Sequence, residues 1–269
     1  MRESSGERFD GLVRIMERLR ADGGCPWDRE QTRESLKPFL IEEAYEVIEA
    51  IDEGDPRQLL EELGDLLFQV IFHAQVAAER GEFTMGQVLA ATADKMVRRH
   101  PHVFSDGTAS TAGEVLEQWE KLKREERDAV AAVPGSALDG VPKEMPALLR
   151  AQRLQDKASR AGFDWPEISG VIAKVQEELD ELNAAIQGSA PDEVESELGD
   201  LLFSLVNMAR FLNLSAEDAL RKSIGRFSAR FRYMEQTIER GGRRLKEASP
   251  EEMNSLWEEA KASGRLPLA

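Results

Sequence analysis

Four carboxylates recur twice in this chain at one spacing. Glu43, Glu46, Glu62 and Asp65 form the first set, and Glu178, Glu181, Glu197 and Asp200 the second. Each member of the second set lies 135 residues after its counterpart, from 43 to 178 through to 65 to 200. Both sets read E-x-x-E and then E-x-x-D. Side chains three apart on a helix are neighbours on one surface, so each pair can converge on a point. Two such helices side by side would gather four carboxylates, which repel one another, lose hydration and call for a cation. Oxygen donors without His or Cys suit Mg²⁺, with Mn²⁺ as the alternative, and not zinc. A lone E-x-x-E is ordinarily a solvated helix face, because Glu is mostly exposed. Two whole quartets at one offset, each beside an apolar stripe, make sites the better reading.

The elements that must carry these residues read as helices. Ile41, Ala44, Tyr45, Ile48 and Ile51 recur at helical spacing, as do Leu59, Leu63, Leu66, Leu67, Val70 and Ile71. Gly54-Asp55-Pro56 separates the two runs. Gly64, repeated as Gly199, costs about 1 kcal/mol against Ala within a helix, so a close helix approach is expected there. Thr84-Met85-Gly86-Gln87 and Thr111-Ala112-Gly113-Glu114 have the form of capping boxes. Their counterparts are Ser215 to Asp218 and Ser249 to Glu252, the latter with Pro250 at the first helical position. No period-2 strand pattern stands out. Trp27 and Trp165 lie in the loops before the two acidic helices, 138 residues apart.

The chain is therefore expected to be all-α, an internal duplication of a helical unit of roughly 130 residues. Residues 1–132 form one domain, 133–146 a turn-rich linker (Val133-Pro134-Gly135 through Val141-Pro142), and 147–269 the other.

Cationic and aromatic residues repeat with the acids. Lys95 and Arg99 return as Arg226 and Arg230, and Trp119 and Lys123 return as Trp257 and Lys261. Arg and Lys can clamp pyrophosphate, and a Trp face can stack on a base. Singly, each is an ordinary surface cation or core ring; their preservation in both copies raises the weight of a functional role. Lys174 stands one turn before Glu178, where the first copy has Phe39. His100-Pro101-His102 reads as a helix stop and not a metal site, because two His separated by Pro do not share a helix face.

Net charge is −16, which argues against general nucleic-acid binding, since tracking a phosphate backbone needs a basic face. Single nucleotides remain compatible if metal and a few cations offset the acids. One cysteine, Cys25, excludes an internal disulfide framework and fits a reducing cytoplasm; it reads as a packed residue. No apolar run reaches the roughly 18 residues of a spanning helix, and no signal-peptide core opens the chain, so no membrane association is expected.

Cys25-Pro26-Trp27-Asp28-Arg29-Glu30-Gln31-Thr32, both E-L-G-D-L-L-F stretches (62–68 and 197–203) and His100-Pro101-His102-Val103-Phe104 closely resemble the MazG family. Its members are nucleoside triphosphate pyrophosphohydrolases of the all-α NTP pyrophosphatase superfamily. The resemblance implies two tandem four-helix-bundle-like domains, a homodimer, and Mg²⁺-dependent hydrolysis of NTPs and dNTPs to the monophosphate and pyrophosphate. It implies house-cleaning or control of the nucleotide pool. Its metal ligands map onto both quartets. Arg226, Arg230, Trp257 and Lys261 match nucleotide-contacting positions, with Lys95, Arg99, Trp119 and Lys123 as their first-copy equivalents. Lys174 and Glu177 fall in a nucleotide-contacting stretch. In tandem members the second copy is regarded as the main catalyst. Glu193 stands where that pattern leads one to expect a cation. Glu177, outside the quartet, is the expected proton acceptor. A nucleotide sensor without turnover, or a hydrolase of another phosphoanhydride such as an alarmone or a dinucleoside polyphosphate, remains an alternative.

Overall fold

The computed structural model describes residues 4–128, 135–188 and 191–262. The expected boundary at 132–133 and the first two linker residues lie outside the described residues. The chain divides into two compact units, Met1–Glu126 and Arg127–Ala269. Among the described residues the regular elements are all helices. None of these is long and apolar enough to cross a membrane.

In the first unit, α1 (Ser5–Arg20) opens on a capping box between Ser4 and Glu7. The short α2 (Pro26–Glu30) follows, and Thr32 caps α3 (Arg33–Glu53). Gly54 ends α3 at φ 71°, a left-handed conformation that glycine adopts without strain. Asp55 then caps α4 (Pro56–Glu79), whose first residue is a proline. This tight connection folds α3 and α4 back to back, and α1 packs across them. Met16, Leu36, Ile71, Phe72 and Val76 form the buried core, with Phe39 and Phe68 against it. Fully burying such a side chain contributes about 1.5–3 kcal/mol. Arg20 clamps the α1 terminus to α4, through two bonds to Glu79 at 2.7 and 2.8 Å, and lies over the Phe72 ring.

Thr84 and Gln87 form the expected capping box of α5 (Met85–Arg99). His100-Pro101 stops that helix as expected, and Pro101 starts the short α6 (Pro101–Phe104). At α7 (Ala112–Asp128) half of the expected box forms: the Thr111 hydroxyl accepts from Glu114 N, while the Glu114 carboxylate accepts from Ser110 N, one residue before the cap.

The second unit comprises α8 (Ala147–Arg160), α9 (Ile168–Gly188), α10 (Pro191–Phe211), α11 (Ala216–Arg240), a 3₁₀ turn (Leu245–Glu247) and α12 (Pro250–Ala262). The span of α9 lies 135 residues after that of α3, and α10 begins 135 after α4. The core repeats in that register: Leu36, Ala50 and Ile71 become Val171, Ala185 and Val206, all buried. The distal half of α11 packs with the 3₁₀ turn and α12 in a separate cluster around Met234, Ile238 and Ala248. Residues 135–146, expected as linker, are built into this unit by turns; Ser136 N donates to the Asp139 carboxylate at 2.7 Å.

Two features depart from expectation or extend it. Gly64 and Gly199 do not mark a close approach, because a Cβ at either would meet nothing within 4 Å. Both are exposed. Ile172, Leu179 and Ile186 of α9 recur every seventh residue beside Leu198, Leu202 and Leu205 of α10, all more than a third exposed. In the first unit Ile41, Tyr45 and Ile48 of α3 and Leu60, Leu63 and Leu67 of α4 are also more than a third exposed, with Leu63 and Leu67 in the register of Leu198 and Leu202.

Candidate functional site

In the second unit α9 carries Lys174, Glu178 and Glu181, and α10 carries Glu197 and Asp200. The helical spacing read from sequence brings three of the four acids together. Glu178, Glu197 and Asp200 each offer an oxygen within 4.8 Å of the others. Glu181 falls outside that group but lines the same cavity. Desolvation and then the charges of Glu178 and Glu197 push its carboxyl above the usual range. Glu178 is 4% exposed. Its charge is met by Lys174 Nζ, 2.7 Å from Glu178 Oε1 and 2.9 Å from Glu177 Oε1. Those two carboxylates, Glu178 foremost, hold the ammonium well above its ordinary pKa. Glu177 is mostly exposed and does not line the cavity.

This donor set fits a hard divalent cation. Three oxygens from two rigid helices converge, and the like-charge strain on Glu181 is what a bound cation would relieve.

The cavity has a volume of about 1010 Å³ and two unlike ends. One end is the carboxylate cluster with Lys174; the other is walled by Leu138, Leu154, Phe163, Trp165 and Phe203 and edged by Gln155 and Asn207. The Trp165 loop is fixed from two sides. Arg210 of α10 donates to both oxygens of Asp164, at 2.5 and 2.9 Å, and Asp164 Oδ1 accepts from Trp165 N at 2.8 Å. Burial raises the Asp164 pKa, but the bonds from Arg210 outweigh it and leave the carboxyl below its usual range. The Trp165 ring lies directly on Gly170, where a Cβ would come within 2.6 Å of it. Glycine is needed here for the close approach.

The first unit keeps the acids and fills the space beside them. Glu43, Glu62 and Asp65 converge as their counterparts do, with Glu46 outside the group. Desolvation and Asp65 raise the Glu43 pKa. At the places of Lys174 and Asn207, however, stand Phe39 and Phe72. Phe72 is 3% exposed in the core, and Phe39 packs against that core with Trp27 edge-on to its ring at 5.7 Å.

In each unit one of the repeated arginines meets the repeated tryptophan. Arg99 lies 6.0 Å over Trp119, and Arg230 lies 5.6 Å over Trp257. Phe227 takes another side of Trp257 at 5.4 Å. Lys123 and Lys261 make local pairs with Glu120 and Glu258. Arg99 and Arg98 bond Glu126, which holds that carboxyl down at about 2. Lys95 is half-buried and Arg226 exposed. Among the described residues Arg226, Arg230, Trp257 and Lys261 do not line the cavity, and the α11–α12 cluster includes no residue of α8 to α10. His100 Nδ1 sits 2.7 Å from the Met96 carbonyl and its ring meets Trp119 edge-on, consistent with a helix end.

Sequence reasoning missed Gln155, Asp164, Gly170, Asn207 and Arg210, because it followed what repeats. The signal was in the mismatches at offset 135, Phe39 to Lys174 and Phe72 to Asn207.

Fold and site together define a duplicated all-helical protein with a carboxylate cluster on each helical hairpin. The MazG nucleotide pyrophosphohydrolase domain matches it twice, over residues 31–104 and 167–233. It is 48% identical over 259 residues, 96% of this chain and 98% of the relative, to the nucleoside triphosphate pyrophosphohydrolase/pyrophosphatase MazG of Thermotoga maritima. Over 257 residues it is 45% identical to the nucleoside triphosphate pyrophosphohydrolase of Escherichia coli K12, covering 94% of this chain and 97% of that protein. It is also 45% identical over 259 residues, 96% of this chain, to YabN of Bacillus subtilis, of which the match covers 52%. The chain belongs to the MazG family.

Proposed function

We propose that this protein hydrolyses nucleoside triphosphates, NTPs and dNTPs, to the monophosphate and pyrophosphate, at the site in its second unit and with Mg²⁺ as cofactor. The observation that carries this reading is the two-ended cavity. A carboxylate cluster beside a lysine suits a metal-bound triphosphate, and an aromatic end suits a base, within one space of the size ligands occupy. The names of the Thermotoga and Escherichia relatives point the same way.

Glu178, Glu197 and Asp200 would hold the Mg²⁺. When bound, that ion neutralises phosphate oxygens and supplies a water of lowered pKa. Glu181 lines the cavity outside the cluster and is the better proton acceptor for the attacking water; Glu177 is held by Lys174 away from it. Water oxygen bonds to the α-phosphorus in line as the bridging Pα–O bond breaks, and pyrophosphate leaves. Lys174 offers its charge to the phosphates.

Arg226, Arg230 and Lys261 serve the departing pyrophosphate only if a second copy brings them to the cavity, since those of the same chain lie elsewhere. The exposed heptad stripes favour such a homodimer, a helical bundle closed by two copies. The first unit takes no nucleotide base, because Phe39 and Phe72 fill the equivalent space.

Product analysis tests the reading: each NTP and dNTP in turn, with Mg²⁺ and then with excess chelator. Metal-dependent monophosphate and pyrophosphate support it. Diphosphate and orthophosphate would mean another bond is cut, and binding without product would make the protein a sensor.

A further inference from the structure

Two amides stand at the aromatic end of the cavity. Gln155 of α8 lines it and is only 7% exposed. Its Nε2 donates to the Phe203 carbonyl at 2.8 Å, which fixes which way the amide faces. Its Oε1 has no hydrogen-bond partner. A buried acceptor without a donor is costly, and native structures leave few of them. Asn207 of α10 lines the same space. Its Oδ1 accepts from Arg210 Nε at 3.0 Å, which leaves Nδ2 as its donor.

The amides are thus oriented by their neighbours into an acceptor and a donor. The ligand complementary to this end has flat apolar faces, for Trp165 and Leu154, and an edge with a donor and an acceptor. That is the hydrogen-bonding edge of a nucleobase. A helix-to-helix tie would be satisfied by the Phe203 bond alone and would leave Oε1 unexplained. We infer that Gln155 and Asn207 read the edge of the substrate's base, Gln155 accepting and Asn207 donating. This rests on the proposed triphosphate hydrolysis and assigns the selectivity of that site.

The test is kcat/KM across the four NTPs and four dNTPs for the full-length protein, Gln155→Met and Asn207→Leu, with thermal melts of all three. The expected result is a roughly 10- to 200-fold loss on the best substrates, little change on the poorest, and so a flattened base preference. A uniform loss on every base, or an unchanged ranking in variants that melt normally, would overturn the inference and leave the hydrolysis intact. If wild type releases pyrophosphate from none of the eight, the functional reading itself fails. Equilibrium binding of the same panel with Ca²⁺ in place of Mg²⁺ then reads the base ranking without turnover, and a ranking unmoved by both variants overturns the inference there too. Two independent variants on different helices keep the outcome readable if one fails to fold.

Discussion

Lys174 Nζ lies 2.7 Å from Glu178 Oε1, whereas the position one turn before Glu43 is held by the phenyl ring of Phe39. That exchange separates a site with a cation beside its buried carboxylate from one with an aromatic ring in that place. A nearly buried carboxylate is costly unless a cation meets it, so Lys174 both pairs with Glu178 and keeps a positive charge at the cavity wall. Replacing Lys174 by Met is expected to lower kcat/KM by about 10- to 100-fold at saturating Mg²⁺. Phe39→Lys in the first unit is expected to add no turnover, because Phe72 still fills the space beside it. Both are read by initial rates of pyrophosphate release.

Phe72 and Asn207 should differ in stability as they do in surroundings. Phe72→Ala empties a buried site and is expected to cost about 3–5 kcal/mol, measured by urea unfolding. Asn207→Ala, on a cavity wall, should cost about 1 kcal/mol or less.

Gly170→Ala introduces a methyl where the Trp165 ring now sits. The ring must shift, and the aromatic end loses its wall. KM for nucleotides should rise about tenfold with kcat changed far less, because the carboxylate cluster on the facing helices is untouched.

How much of this was legible in the sequence depends on how local each cause is. Thr84, Asp55 and Gly54 announce helix ends because capping acts within a few residues, and the structure places caps at each. The quartets were legible because helical spacing alone brings Glu197 to Asp200 and the duplication supplies a second witness. The cavity was not, since it depends on what three helices leave unfilled: the offset that pairs Phe72 with Asn207 reveals nothing about volume until α1 and α8 are packed. Arg226, Arg230, Trp257 and Lys261 show the converse failure. Their repetition was visible, and it reports Arg-over-Trp packing within α11 and α12 as much as any contact with substrate.

The Arg98–Arg99–Glu126 cluster gives a pH signature. Glu126 has a folded pKa of about 2, below its ordinary 4.5. The unfolded state therefore binds the proton more readily, and the contribution of this cluster is complete above about pH 4.5 and lost as pH falls towards 2. The urea midpoints of wild type and Glu126→Gln should differ at pH 6, draw together below about pH 4.5 and meet only as the pH nears 2. A difference that stays constant over that range would contradict the assignment.

The exposed leucine stripe should hold two copies together. Leu202→Asp places a charge in the middle of it and is expected to shift the protein from dimer to monomer in light scattering, with helical content retained.

The most direct measurement of the central claim compares Glu178→Ala with Glu43→Ala in the full-length protein, by quantifying monophosphate and pyrophosphate from one NTP with Mg²⁺. The account predicts that Glu178→Ala lowers kcat by at least about a thousandfold while circular dichroism stays helical, and that Glu43→Ala keeps turnover within a few-fold of wild type. Near-normal turnover in Glu178→Ala, or loss of activity in Glu43→Ala alone, would put the reaction in the wrong unit.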